Sequence, residues 1–206
     1  MGYLIFLAII ILAAVLFIEW KMPVWIGKSG ERFVSSRFNQ LDPMRYKVLD
    51  DLMLPSQGKV SATQIDHVIV SNHGIFCVET KSYKGWIFGN ASQQYWTQVI
   101  YRNKQRFYNP LRQNFAHTKA IEALLCSHLK APIVSFVVFP DADKLKISGT
   151  DAAGYPGEIM EKIQSHVTTI YSDVERDIIV DLLMSANITN KEARQDHIRE
   201  IREIKG

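Results

Sequence analysis

Gln64-Ile65-Asp66-His67-Val68-Ile69-Val70-Ser71-Asn72-His73-Gly74-Ile75-Phe76-Cys77-Val78-Glu79-Thr80-Lys81 reads as two β-rich runs joined by a tight turn. Gln64–Ser71 and Ile75–Tyr83 are the runs, and Asn72-His73-Gly74 has hairpin-turn chemistry, because Asn and Gly tolerate the positive φ such turns need. Side chains alternate along a strand, so Glu79 and Lys81 share one face, about 7 Å apart. A two-residue turn at Asn72-His73 or at His73-Gly74 puts Asp66 on that face, beside Glu79 or Lys81; a three-residue loop does so only with a bulge. Cys77 shares the face by parity as a small apolar filler. His67 lies on the opposite face, as a hydrogen-bonded core or supporting histidine.

Working outward, Phe33, Val34, Phe38 and Leu41 form one helical stripe opened by Ser29 and Gly30, with Glu31 in its first turn. Tyr46–Leu54 reads as a strand ended by Pro55. Trp86–Phe88 and Tyr95–Tyr101 pair as a further, more exposed hairpin. Asn109-Pro110 starts a helix that runs from Leu111 to Leu129, with an N-cap residue followed by proline at the first helical position. Ile133–Phe139 is a last apolar strand. From about Gly157 the chain reads as helical, with capping boxes at Ser172-Asp173-Val174-Glu175 and Thr189-Asn190-Lys191-Glu192.

Ionised side chains in the middle of apolar strands are rare unless paired or bound to a metal. Asp66, Glu79 and Lys81 therefore need an explanation. Two carboxylates can hold Mg²⁺ or Mn²⁺, which keeps positions open for water and a phosphate oxygen. Such an ion lowers the pKa of that water, and a lysine beside it orients the water or adds positive charge. Glu31 is a candidate third carboxylate. The competing reading is a structural cross-strand ion pair between Asp66 and Lys81. Glu-x-Lys alone carries nothing, since it occurs three times in this chain; only Glu79-Thr80-Lys81 lies in a core strand.

Charge distribution adds a partner class. Thr80–Ile121 contains no Asp or Glu but holds Lys81, Lys84, Arg102, Lys104, Arg106, Arg112 and Lys119. Tyr83, Trp86, Tyr95, Trp96, Tyr101, Phe107 and Tyr108 are interleaved, a mixture suited to a polyphosphate backbone with bases to stack. Gln113 and His117 lie one turn apart near a helix N-terminus, the end that attracts phosphate.

The 206 residues, 47% hydrophobic and 22% charged, exclude a disordered or low-complexity chain. Cys77 and Cys126, both in apolar runs, cannot make a disulfide framework or a four-ligand zinc site, which fits a reduced, cytoplasm-facing domain. Residues 2–18 carry no charge and are just long enough to span hydrocarbon. No Lys or Arg precedes them and no small-residue cleavage site follows, so an uncleaved anchor is expected rather than a signal peptide. Trp20 and Trp25 suit the headgroup layer, and Lys21 and Lys28 put the following domain in the cytoplasm. The expected organisation is an anchor over 1–20, a linker over 21–28, a domain over 29–140 and a mainly helical extension over 141–206.

Five separated blocks together resemble the nuclease-related domain, NERD. They are Gly27-Lys28-Ser29-Gly30-Glu31, Thr63-Gln64-Ile65-Asp66-His67, Gly74 to Lys81, Gly85 with Trp96, and Asn109-Pro110-Leu111-Arg112-Gln113-Asn114-Phe115-Ala116-His117. The resemblance implies an α/β fold of the restriction-endonuclease-like PD-(D/E)xK type: a mixed β-sheet flanked by helices, with an αβββαβ core. It implies Glu31 as the helix-one acid, Asp66 and Glu79 as the metal carboxylates, Lys81 as the catalytic lysine and Gln113 as the helix glutamine beside such sites. The proline that gives the superfamily its name is absent, since Ile65 precedes Asp66.

The first functional reading is thus a membrane-anchored nuclease, dependent on Mg²⁺ or Mn²⁺, that hydrolyses phosphodiester bonds of DNA. In it Asp66, Glu79, Lys81 and Gln113 are catalytic; Asp66, Glu79 and Glu31 hold metal; and Lys84, Arg102, Lys104, Arg106, Arg112 and His117 contact nucleic acid. The second is a non-catalytic nucleic-acid-binding or protein-interaction module of the same fold at the membrane.

Overall fold

The computed structural model describes residues 6, 27–56, 60–128 and 130–205. After helix α1 (residues 27–38), strands β1 (Tyr46–Pro55), β2 (Ala62–Ser71) and β3 (Gly74–Thr80) form an antiparallel meander. The chain then makes β4 (Gly85–Asn90), β5 (Tyr95–Ile100) and β6 (Asn103–Tyr108), helix α2 (Pro110–Leu125) and β7 (Val134–Val138). Strands β8 (Ala142–Ser148) and β9 (Ala153–Gly154) precede helices α3 (Pro156–Ser165), α4 (Asp173–Ser185) and α5 (Lys191–Lys205). The main sheet has the order β1-β2-β3-β7-β9, with β7 parallel to both β3 and β9. A second sheet has the order β6-β5-β4-β8. Omitting the second sheet, the core runs α1, β1, β2, β3, α2, β7, the order the sequence implies.

Helices cover both faces of the main sheet. Ile121 and Leu125 of α2 and Ile179 and Leu183 of α4 pack on one face with Val68, Val70, Ile75 and Cys77. Val34 and Phe38 of α1 and Ile159 and Ile163 of α3 cover the other, with Ile69, Phe76 and Val78. Phe33, expected on the buried stripe of α1, is 48% exposed; Val34 and Phe38, four residues apart, carry that stripe instead.

Ser71 pairs with Gly74, so of the expected turns the β2–β3 connection is the two-residue Asn72-His73. Other expectations are revised. The expected exposed hairpin is the centre of the four-stranded second sheet, which gains β6 and β8. Strand β6 reads Asn-Lys-Gln-Arg-Phe-Tyr and has too few apolar residues to signal itself. Strands β8 and β9 come from the segment expected to be mainly helical, so the two sheets draw strands from beyond residue 140. At α5 the first turn is capped by Asn190, whose Oδ1 accepts from the Glu192 N–H, rather than by Thr189. Apart from residue 6, the expected anchor over residues 2–18 lies outside the described residues; among those described, no helix is long and apolar enough to cross a membrane.

Asn114 fixes α2 against the sheet. Its buried side-chain amide donates to Cys77 O, Phe136 O and Ser135 Oγ at 2.8–2.9 Å, and its Oδ1 receives Cys77 Sγ–H at 3.0 Å. Asn114→Ala would leave two strand carbonyls without that donor, at a cost of about 3 kcal/mol. A lower midpoint of denaturant unfolding with an unchanged slope is the expected result.

Candidate active site

The chemistry gathers where the β1–β2 ladder breaks. Asp50 pairs with His67 and Leu52 with Ile65, while Asp51 and Asp66 do not pair. Asp51 has φ 54°, a left-handed conformation unusual for a residue with a Cβ. Strict alternation would put Ile65 on the face of Ile69, yet Ile65, Leu52 and Leu54 join the Val68 and Val70 cluster on the other face. Both strands thus turn over at Asp51 and Asp66, as at a bulge. There β2 parts from β3: Asp66 Oδ2 accepts the Thr80 N–H at 2.8 Å, replacing a backbone acceptor.

The register aligns Asp66 with Glu79, because the β2–β3 ladder ends at His67 and Val78 just before them. Glu79 is 3% exposed. Its Oε1 accepts from Lys81 Nζ at 2.6 Å and from Gln113 Nε2 at 2.7 Å, while Gln113 Oε1 accepts from the same ammonium at 2.9 Å. Lys81 N–H donates to Val138 O at 2.8 Å and holds the lysine at the end of β3. His117 Nε2 stands 3.2 Å from Glu79 Oε2, within ion-pair range but outside hydrogen-bond geometry, and its Nδ1 lies 2.7 Å from Thr63 Oγ1. Helix α1 approaches closely enough to bring Glu31 near because Gly30 has no Cβ; one there would overlap Ser82 Oγ.

The ionisation states follow from these neighbours. For Glu79, burial favours the neutral acid, but the Lys81 ammonium and then His117 outweigh it and bring the carboxyl down to about 2. For Lys81, burial favours the neutral amine; the Glu79 charge and hydrogen bond outweigh that and raise its pKa. Lys81 is therefore an ammonium and cannot serve as a base at neutral pH. Asp66 is pushed well above the ordinary range, first by burial and then by the Glu79 charge, against the lowering effect of the Thr80 N–H. Glu31 is also raised, chiefly by burial.

These directions set a pH dependence. The folded chain holds the Asp66 proton to higher pH than the unfolded chain, so that contribution to stability is complete below the ordinary Asp range. It is lost as pH rises through the raised pKa. Glu79 acts oppositely, and its contribution disappears only as pH falls toward about 2. The melting temperature of the metal-free chain should therefore fall as pH rises from the ordinary Asp range through the raised Asp66 pKa, and Asp66→Asn should flatten that slope.

Two carboxylates present further oxygens. Glu79 Oε2 is buried with the His117 imidazole at 3.2 Å outside hydrogen-bond geometry, and Asp66 accepts through Oδ2, leaving Oδ1. Hard oxygen donors of this kind fit Mg²⁺ or Mn²⁺, which take one or two carboxylates and fill the remaining positions with water and substrate oxygens. Among the described residues no three His, Cys, Asp or Glu side chains are grouped to hold a metal ion. The expected three-carboxylate set of Asp66, Glu79 and Glu31 is thus not assembled: α1 holds Glu31 within electrostatic reach of Asp66 and Glu79 but not in a common cage.

The nuclease-related domain family model matches residues 26–140, more than half of the chain. The chain belongs to the nuclease-related domain family. That family is part of the restriction-endonuclease-like superfamily. The chain is also 33% identical over 186 residues to an uncharacterized protein of Bacillus anthracis, a match covering 88% of this chain and 86% of the relative. No solved structure matches.

Within the nuclease-related domain, Glu79, Lys81 and Gln113 form one hydrogen-bonded group, and Asp66 lies within electrostatic reach of Glu79 and Lys81. His117 is 5% exposed and lies against Glu79, away from the solvent-facing cations with which it was grouped. Lys84, Arg102, Lys104 and Arg106 are exposed on the second sheet and its loops. Arg112 donates to Ser92 O at 2.9 Å at the start of α2. Cys77 is a buried filler whose thiol is raised by burial, and His67 is a supporting residue between Asp50 at 2.6 Å and Thr80 at 3.0 Å. Sequence reading missed Thr63 and His197. His197 of α5 is buried, within electrostatic reach of His117, and its Nδ1 has no hydrogen-bond partner among the described residues. No local pattern links positions so far apart in the chain.

Proposed function

We propose that this chain is a divalent-metal-dependent nuclease that hydrolyses phosphodiester bonds of DNA, held at the membrane by residues 2–18 with its folded part in the cytoplasm. One observation carries the reading: the buried, ion-paired Glu79 and Lys81 stand beside a second carboxylate, Asp66, whose Oδ1 has no hydrogen-bond partner among the described residues, at a break in the sheet. A purely structural Glu79–Lys81 pair has no need of that second carboxylate, whose charge Glu79 disfavours.

Asp66 and Glu79 would hold Mg²⁺ or Mn²⁺. When bound, the ion supplies a more acidic water and charge stabilisation at phosphorus. The Lys81 ammonium, oriented by Glu79 Oε1 and Gln113 Oε1, donates toward the phosphate or the attacking water. Gln113 bridges the lysine and the carboxylate, so both keep their positions as charge builds on the substrate. His117, set by Thr63, braces the far side of Glu79. Lys84, Arg102, Lys104, Arg106 and Arg112 contact substrate phosphates.

Conversion of supercoiled plasmid to nicked and linear forms by the purified full chain tests this reading. Conversion with Mg²⁺ or Mn²⁺, abolished by EDTA, is expected. Metal-independent binding without cleavage would instead indicate a non-catalytic module.

A further inference from the structure

Beyond the phosphate contacts of Lys104 and Arg106, the outer face of the second sheet carries aromatic rings that the chemistry above does not use. Its inner face packs Ile87, Trp96, Leu145 and Ile147 against Val137 and Phe139 of the main-sheet side. Alternation then turns Trp86 and Phe88 outward, and the register aligns them in two rows. Lys144, Trp86, Val99 and Lys104 lie side by side across four strands, and so do Lys146, Phe88, Thr97 and Arg106. Each row has an aromatic ring at its centre and a cation at each edge.

The face is concave, with a depression of about 940 Å³ whose lining includes Trp86, Phe88, Thr97, Val99 and Lys104 and a single acid, Asp143. Trp86 is 43% exposed, and its ring lies 6.2 Å from that of Phe88. Lys144 and Lys146 stand 5.2 Å and 5.0 Å from the Trp86 ring centre. Among the described residues, Lys104, Arg106, Lys144 and Lys146 make no ion pair with a carboxylate. Four unneutralised cations around two outward rings repel one another, and an anion carrying flat apolar groups would relieve that repulsion while covering the rings.

We propose that this sheet face binds an unpaired strand of nucleic acid, stacking two neighbouring bases on Trp86 and Phe88 and placing their phosphates on the flanking cations. Bases in a duplex are already stacked on one another and cannot reach such rings, so the face selects single strands. Thr97 and Val99 offer little base-edge hydrogen bonding, so sequence preference is weak. Trp86 lies five positions after Lys81, which limits their Cα separation to about 18 Å. A strand on this face thus approaches the candidate active site. This inference deepens the nuclease reading by naming the strand that is held, but the binding can be measured without catalysis.

Fluorescence anisotropy with the full chain in detergent micelles and EDTA tests it, using a labelled oligothymidylate and a labelled duplex of equal length. Wild type should bind the oligothymidylate more tightly than the duplex. Trp86→Ala should weaken oligothymidylate binding by about 10-fold, and Trp86→Phe should restore most of the loss. The double variant Lys144→Gln with Lys146→Gln, which leaves the stacking rings in place, should reduce the slope of log affinity against log salt by about 1.4. Should Trp86→Ala fail to melt cooperatively, the lysine double variant decides alone. Oligothymidylate affinity and salt slope equal to wild type in the folded variants would overturn the proposal. Failure of wild type to cleave plasmid would remove the nuclease reading but leave these binding results standing, so the two failures are distinguishable.

Discussion

Glu79→Gln is expected to abolish metal-dependent cleavage, by about 10³-fold or more, and to lower the melting temperature by about 10 °C. Both effects arise from one buried charge. Glu79 is 3% exposed and its Oε1 takes two donors, the Lys81 ammonium among them. Removing the negative charge leaves that ammonium largely buried beside neutral amides, and breaking a buried pair costs about 3 kcal/mol or more. The substitution also removes one of two carboxylates suited to a hard cation, so metal affinity and turnover should fall together. Plasmid cleavage rates measured alongside calorimetric melts check both; a variant that melts 10 °C lower yet cleaves at the wild-type rate would make Glu79 a structural residue only.

Lys81→Ala should separate what Glu79→Gln combines. It removes a cation next to the carboxylates, so Mn²⁺ affinity measured by titration calorimetry should be unchanged or tighter. Cleavage at saturating Mn²⁺ should nevertheless fall by about 10² to 10³, the loss typical of removing one preorganised donor from a developing charge. Because the Glu79 interaction keeps Lys81 protonated, no basic limb of the pH–rate profile at neutral pH should belong to this lysine. Parallel losses of Mn²⁺ affinity and rate in Lys81→Ala would instead mean that the lysine only holds Glu79 in place.

Much of this arrangement is legible in the sequence because it depends on alternation and turn chemistry. Asp66 interrupting Ile65–Val70, and Glu79 and Lys81 following Ile75–Val78, mark the site, and Asn109-Pro110 marks the start of the helix that carries Gln113. Asn109 Oδ1 indeed accepts from Leu111 N–H at 2.9 Å. The turnover at Asp51 and Asp66 is not legible, since nothing in Tyr46–Pro55 sets Asp51 apart from the adjacent Asp50 as the left-handed residue. The alternation that gives Ile65 its face by parity fails at that point. Strand β8 alternates Lys144, Leu145, Lys146 and Ile147, a usable period-2 signal, but it lies between Pro140 and Gly149 in a segment that otherwise suggests helices. His197 meets the site only through tertiary packing of α5, where Arg194 pairs with Asp51 at 2.8 Å and Glu200 accepts from Ser61 N–H at 2.9 Å.

Asp66, Glu79 and Lys81 form either a catalytic group or a structural ion cluster, and Asp66→Asn distinguishes these most directly. Its neutral amide keeps the shape of a carboxyl whose charged form is disfavoured in the metal-free fold, so folding should survive the substitution intact or improved. The decisive measurement is the rate of plasmid cleavage by folded Asp66→Asn and by wild type at the same Mn²⁺ concentration. A catalytic group predicts rapid metal-dependent cleavage by wild type and a loss of about 10²-fold or more in the variant. Equal rates in the two proteins would contradict it and leave the cluster with a structural role alone.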